Sequence, residues 1–240
     1  QWLFLGIGFY AVYSWAASLR ERDPVAFALI WQSPAFLCTI MGYGTVAFVS
    51  YAGSYWAAPY AERVFMVPKT EIGWLIGGPG AVAGFLGVIL GGRMADWLRA
   101  RNPAGRILVI AFGALAPIIP FVIAYTTASS AMFYVMVFIA AVFTASALGA
   151  AAATTQDLVL PRMRGTATAT FFLATTLFGL ALGPYMAGQV STATRSLSTG
   201  ILSTLAVVPF GLILLIAAYR LVPASERSLL DRARAAGEPI

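Results

Sequence analysis

Seven apolar runs alternate along the chain with short polar breaks in which arginine and proline recur. About 20 residues at 1.5 Å rise cross a hydrocarbon layer of about 30 Å. Runs of that length fall near 2–19, 35–58, 71–95, 106–126, 129–153, 163–190 and 198–221. The pattern predicts an all-α bundle of seven membrane helices. In the third run, Gly73, Gly77, Gly80, Gly84, Gly87 and Gly91 recur at steps of four and three and so share one helical face. In water such a face costs roughly 1 kcal/mol per glycine relative to alanine, whereas in lipid it lets a second backbone approach closely. The stripe is therefore a packing surface, with Gly84 expected at the contact and Val88 on the opposite face. Pro117, Pro120 and Pro209 lie inside spans and predict kinks, which neighbouring groups in a membrane can satisfy.

Composition agrees with this reading: 60% of the 240 residues are hydrophobic and 10% charged, and the mean hydropathy is +0.84. These values place the chain among polytopic membrane proteins. Cys38 is the sole cysteine and histidine is absent, so no intramolecular disulfide forms and the commonest metal ligand is missing. Nothing here calls for a metal or a cofactor. The chain opens at Gln1-Trp2, already against an apolar run, which reads as the start of a fragment. A cleaved signal peptide fits less well, because residues 1–19 lack a basic leading region.

Alternate loops fall on alternate sides of the membrane. One side then holds Arg20, Arg22, Arg93, Arg99, Arg101, Arg106, Arg162, Arg164, Arg220, Arg227, Arg232 and Arg234, and the other holds Arg63, Lys69 and Arg195, together the 15 basic residues. The positive-inside rule places the C-terminus in the cytoplasm. Topology alone accounts for the net charge of +6, with no nucleic-acid partner required. Lys69 is the only lysine and alanine is abundant, a composition expected of a prokaryotic inner-membrane protein. Residues 20–33 form a cytoplasmic linker between the span within 1–19 and a six-helix unit at 34–222. A cytoplasmic tail, 223–240, is expected to form a short helix capped by Ser225 with Leu229, Leu230 and Ala233 on one side.

Asp96 ends a helix, where a carboxylate opposes the macrodipole at a cost of roughly 0.3–1 kcal/mol. Arg93 and Arg99, each three residues away, are expected to compensate it. Arg164-Gly165 opens the sixth run with a cation at the wrong end of the dipole, followed by small residues suited to close approach. Gly179 and Gly183, four apart and ahead of Pro184, form a second contact motif. Glu71, Asp96 and Asp157 sit at span ends and the other acids lie in loops or the tail, so no midspan carboxylate marks a proton-coupling site. The interior offers weakly polar and aromatic groups instead: Tyr43, Phe48 and Tyr51 beside Thr39, Ser50 and Ser54; Phe143, Thr144 and Ser146; and Thr168, Phe171, Thr175 and Phe178. Such a lining suits an amphipathic ligand with a long apolar part. Tyr55, Trp56 and Tyr60 read as interfacial belt residues. Gly77-Gly78-Pro79-Gly80 lacks the lysine and hydroxyl of a phosphate loop and lies within a span.

Gly92-Arg93-Met94-Ala95-Asp96 with Arg99 and Arg101 resembles the inner-loop signature of the major facilitator superfamily as it recurs in the second half. Gln156 through Ala167, followed by Gly179-Leu180-Ala181-Leu182-Gly183-Pro184, resembles the spinster family of lipid transporters around its eleventh helix. Trp31-Gln32-Ser33-Pro34-Ala35-Phe36 and Tyr51 to Pro59 resemble that family's seventh helix. The resemblance covers residues 31 to 225 and implies the C-terminal half of a twelve-helix transporter, preceded by its sixth helix. It further implies alternating access by two rocking halves. On this reading Asp96 and Arg99 latch the cytoplasmic side, Gly92 and Arg101 complete the signature, and Arg164-Gly165 lines the joint with the absent half. The implied cargo is a lysophospholipid or sphingosine phosphate, and any coupled proton uses a carboxylate of that half. A drug or metabolite exporter is the competing reading, a non-transporting assembly subunit a further one, and an intramembrane enzyme the least favoured.

Overall fold

A computed structural model describes residues 2–239, with side chains from Gly6 onward. Among the described residues the elements are all helices: α1 (Trp2–Arg22), α2 (Pro24–Trp31), α3 (Pro34–Val64), α4 (Lys69–Arg101), α5 (Gly105–Thr126), α6 (Ser130–Asp157), α7 (Pro161–Thr194), α8 (Leu197–Arg227) and α9 (Leu229–Ala235). Among the described residues, six helices, α3 to α8, are long and apolar enough to cross a membrane. The expected first span, 2–19, lies within helix α1, and the side chains of residues 2–5 fall outside the described set.

The spans outrun their apolar cores by a turn or two because polar residues cap them. Ser33 Oγ accepts from Phe36 N ahead of α3, Ser129 Oγ from Met132 N ahead of α6, and Ser196 Oγ from Thr199 N ahead of α8. Each cap satisfies a backbone donor that a helix start leaves open. Asp23 does the same for α2, accepting from Ala26 N at 2.9 Å, so the linker contains a helix with Val25, Ala26, Leu29 and Ile30 buried. The tail helix begins after Ser228. Ser225, the expected cap, belongs to the last turns of α8, and Leu230 is exposed.

Central in the bundle stands α3, flanked by α5, α6, α7 and α8, while α4 leans on α6 and α5. Contact between α4 and α6 runs through Ala83, Gly87, Gly91 and Ala95, buried at a spacing of four. A Cβ on Gly91 would strike the backbone of Ser146, and one on Gly87 the Val142 carbonyl. Gly73, Gly77, Gly80 and Gly84 meet nothing within 4 Å. The stripe is a helix contact only at Gly87 and Gly91, and the expectation for Gly84 is corrected: Ala83, fully buried, makes the contact at that height and Gly84 lies off the seam. Gly183 shows the expected close approach, facing the Phe48 carbonyl of α3.

Both α4 and α7 carry a π turn, at Gly73–Gly77 and Thr176–Ala181. A proline has no N–H and its ring crowds the carbonyl four residues back. For Pro79 that carbonyl is Leu75's, for Pro184 it is Leu180's, and each lies inside the π turn that widens the helix there. At Pro117 the chain breaks α5 between Leu115 and Ile118. Tyr60 is not a belt residue: it is 2% exposed, stacks on Phe133 at 5.3 Å and donates to the Tyr125 carbonyl at 3.1 Å.

Candidate functional site

Two regions carry the residues singled out by sequence: the charge-free interior around α3, and the end of the bundle that gathers the arginine-rich loops. In the interior, Tyr43 and Phe171 are brought together, rings 5.2 Å apart, both buried. They fill each other's space. Ser50 Oγ donates to Thr144 Oγ1 at 3.3 Å, joining α3 to α6. Thr175 is buried, with its hydroxyl donated to the Phe172 carbonyl. Tyr51 is 41% exposed and lies across Gly179. Phe178 meets Phe9 of α1 edge to face at 6.5 Å, and Trp15 of α1 donates to Thr170 at 3.3 Å, so α1 covers part of α7. Phe48 is partly buried beside Gly183. The Phe143 ring packs on Phe112 of α5 at 5.5 Å.

Open volume lies on either side of α3, and each cavity is bordered by a π turn. A cavity of about 250 Å³ between α3, α4 and α6 is lined by Ser54, Leu75, Ile76, Gly77, Gly80, Tyr134 and Val137, among others. Another of about 480 Å³ lies between α3 and α7, against Tyr55, Trp56, Leu180, Pro184 and Gln189. Trp56 Nε1 donates to the Pro184 carbonyl at 2.9 Å there. No charged side chain lines either cavity. Burial of apolar surface is thus the main affinity between α3, α4 and α6, whereas Tyr55, Gln189 and Thr192 add polar groups between α3 and α7.

At the basic end, Arg106 pairs with Asp157 and Arg99 with Glu226 at 2.5 Å, while Arg99 lies 4.0 Å from Asp157. This network ties α4, α5, α6 and α8 together. Asp96 reaches it only from outside, 3.8 Å from Arg106 with its side chain 79% exposed. The expected partners Arg93 and Arg99 are not the groups that answer it. Arg101 stacks its guanidinium over Trp97 at 3.6 Å. Gly92 has open space around it, and Arg164 and Gly165 are exposed at the start of α7. A gap of about 510 Å³ opens beside Arg99, Pro103, Pro223, Glu226 and Arg227.

No protein-family model matches the chain. Spinster homologue 1 of Xenopus tropicalis is 30% identical over 173 residues, 67% of this chain and 33% of its own length. An MFS-type efflux pump of Mycolicibacterium smegmatis is 27% identical over 217 residues, 86% of this chain and 49% of its own. A bacterial homologue of the human lysosomal transporter spinster, solved inward-facing and unoccupied, aligns with a TM-score of 0.63 at 25% identity, over 86% of this chain and 50% of that one. The chain belongs to the spinster-like major facilitators. It spans one third to one half of the length of these relatives. In this spinster-like unit the signature acid Asp96 points outward, whereas Arg106, Asp157 and Glu226 hold its own helices together. Sequence reading placed Arg106 and Asp157 at span ends and Glu226 in the tail, and assigned them no role. The available signal was that all lie on the same side by loop alternation.

A second cluster joins the linker to the tail. Arg162 donates to Asp23 at 2.7 Å and to Glu238 at 2.7 Å, and Arg232 donates to Ser33 at 3.4 Å. Burial works to raise the Asp23 pKa, but Arg162 and the Ala26 amide outweigh it and hold the carboxyl below its ordinary value. The hydrogen bond from Arg162 lowers Glu238 likewise. With both folded values depressed, the contribution is complete above the ordinary carboxylate range and is lost as pH falls through the lowered values. A spin label at Ala236 should therefore gain mobility below about pH 4, and Arg162→Gln should give the same mobility at neutral pH. An immobile label in Arg162→Gln would show that other contacts hold the tail.

Proposed function

We propose that this chain is one half of a secondary active transporter that works by alternating access and carries an amphipathic lipid of the lysophospholipid type. The observation that carries this reading is the uncharged lining of both cavities beside α3. Charged groups stand at the two ends of the bundle, and the cavities beside α3 carry no charged side chain and are bordered by the π turns of α4 and α7. Discontinuous helices beside a midplane site are the usual construction of secondary transporters, and π turns recur at functional positions. An apolar lining gains about 0.8 kcal/mol per buried CH₂, enough to hold an acyl chain without a local ion pair. The headgroup and any coupled proton are then answered by the opposite half.

On this reading the basic end faces the cytoplasm of a prokaryotic cell. Asp96, exposed and only loosely tied within its own half, reaches across to the other, with Gly92 leaving room beside it. Arg164 and Gly165 open the uncovered face of α7 that continues through Phe172 and Leu180, each about half exposed. A second reading, export of a small non-lipid molecule, is favoured by the efflux pump that aligns over 86% of the chain. Flux of a lysophospholipid in proteoliposomes of the full-length transporter, set against a small polar cargo, decides between them.

A further inference from the structure

We propose that the gap between the α4–α5 turn and the end of α8 binds the headgroup of an anionic phospholipid of the bilayer, whose acyl chains lie along the outer faces of α5 and α8. This site stands apart from the cavities beside α3 and is argued from its own residues, so it holds whichever cargo the transporter carries.

The gap of about 510 Å³ is lined by Arg99, Pro103, Pro223, Glu226 and Arg227. Arg99 and Glu226 answer each other at 2.5 Å, which leaves Arg227 as the uncancelled charge. Its Nε donates to the Pro223 carbonyl at 3.1 Å, so the guanidinium lies back over the turn that borders the gap, as helical side chains do. Neither Nη group of Arg227 has a partner among the described residues. Arg220, exposed, stands two turns earlier on the same face of α8, about 10 Å nearer the hydrocarbon, and it too has no ion pair among the described residues. Tyr219, one turn below Pro223, accepts a hydrogen bond from Asn102 Nδ2 at 2.7 Å. That contact ties α8 to the α4–α5 turn and leaves the phenolic hydrogen free to donate.

Charge selects the headgroup. Guanidinium forks match pairs of phosphate oxygens, and basic pockets between membrane helices are suited to anionic lipid headgroups. The one carboxylate of the gap is already paired, so a choline or ethanolamine would find only arginines, whereas a phosphodiester without an amine meets complementary charge. Below the gap the exposed surface turns apolar on α5 and α8, which pack side by side. Leu108, Phe112 and Leu115 recur at steps of four and three along α5, and Ile216 and Ile213 continue the Arg220 face of α8, each between 40% and 64% exposed. A bare apolar face accepts any acyl chain; the unpaired arginines at its head commit this one to an anionic lipid.

The test uses purified, delipidated full-length transporter and dioleoyl phosphatidylglycerol, with dioleoyl phosphatidylcholine and inorganic phosphate as comparison probes. Native mass spectrometry should show phosphatidylglycerol retained about tenfold more than phosphatidylcholine, and the anionic lipid alone should raise the melting temperature by about 5 °C. Arg227→Gln and Arg220→Gln break no ion pair, so both proteins should fold, and each should cut phosphatidylglycerol retention about fivefold. Arg22→Gln removes an exposed arginine on the same side by loop alternation and should change nothing. Phosphatidylglycerol with a diazirine on its acyl chain should label Leu108 to Leu115 and Ile213 to Tyr219. Equal retention of the two lipids, or an equal loss in Arg22→Gln, would overturn the site in favour of diffuse attraction to the basic end. Equal stabilisation by inorganic phosphate would overturn the lipid, and labelling confined to other helices, or cover of this face by the opposite half, would overturn the placement.

Discussion

A leucine at Gly91 should all but abolish accumulation of folded transporter, the largest effect expected of any single substitution in this half. A Cβ there would stand 2.5 Å from the Ser146 Cα and closer still to its carbonyl oxygen. These are backbone atoms of a neighbouring helix, so no side-chain rotation relieves the clash and α4 must move away. Overpacking of a core typically costs 1–3 kcal/mol; displacing a helix that also packs through Ala83, Gly87 and Ala95 places this case at or above the upper end. Gly84→Leu is the control, with nothing within 4 Å of its Cβ position, and should change the melting temperature little. Size-exclusion profiles and thermal melts of the detergent-solubilised proteins check the pair. A monodisperse Gly91→Leu with an unchanged melt, beside an aggregated Gly84→Leu, would return the contact to the other part of the stripe.

Arg106 and Asp96 should separate stability from gating. Arg106→Ala strands Asp157, whose side chain is 30% exposed, with only Arg99 at 4.0 Å to answer it. Breaking a fully buried pair costs about 3–5 kcal/mol, and partial exposure brings this one to about 1–3 kcal/mol. The loss should appear as a lower melting temperature with a matching fall in flux. Asp96→Asn touches an exposed pair worth about 0–1 kcal/mol, so its melt should stay close to wild type. If Asp96 is the proposed latch between halves, its flux should nevertheless fall, since such a contact biases states by about 1–3 kcal/mol. An Asp96→Asn protein with both melt and flux intact would make Asp96 a surface charge.

The membrane spans were legible because their length is fixed by the bilayer and their ends by serine, aspartate and arginine. The π turns were not. Pro79 and Pro184 are plain in the sequence, yet Pro59 and Pro223 sit inside regular helix and Pro117 breaks one, so the outcome depends on what packs against the crowded carbonyl. The ionic network was half legible: loop alternation puts Arg99, Arg106, Asp157 and Glu226 on one side, but partners separated by 51 and 127 positions are chosen by helix packing. For the interior set, residue types were legible in the sequence and the geometry stayed open. Periodicity shows which groups face one another, and it does not show whether they leave space. Tyr43 and Phe171 close on each other, Phe143 packs on α5, and open volume lies against α7 and beside Gly77 and Gly80 of α4, where a helix contact had been expected.

The central claim is that this charge-free wall belongs to a lipid path, and flux in proteoliposomes addresses it most directly. Full-length transporter should move a 16-carbon lysophosphatidylcholine between leaflets or compartments faster than protein-free vesicles, saturably, with an 8-carbon homologue and a small polar metabolite moved far less. Saturable flux of the polar metabolite with none of either lysolipid would contradict the account and establish the exporter in its place.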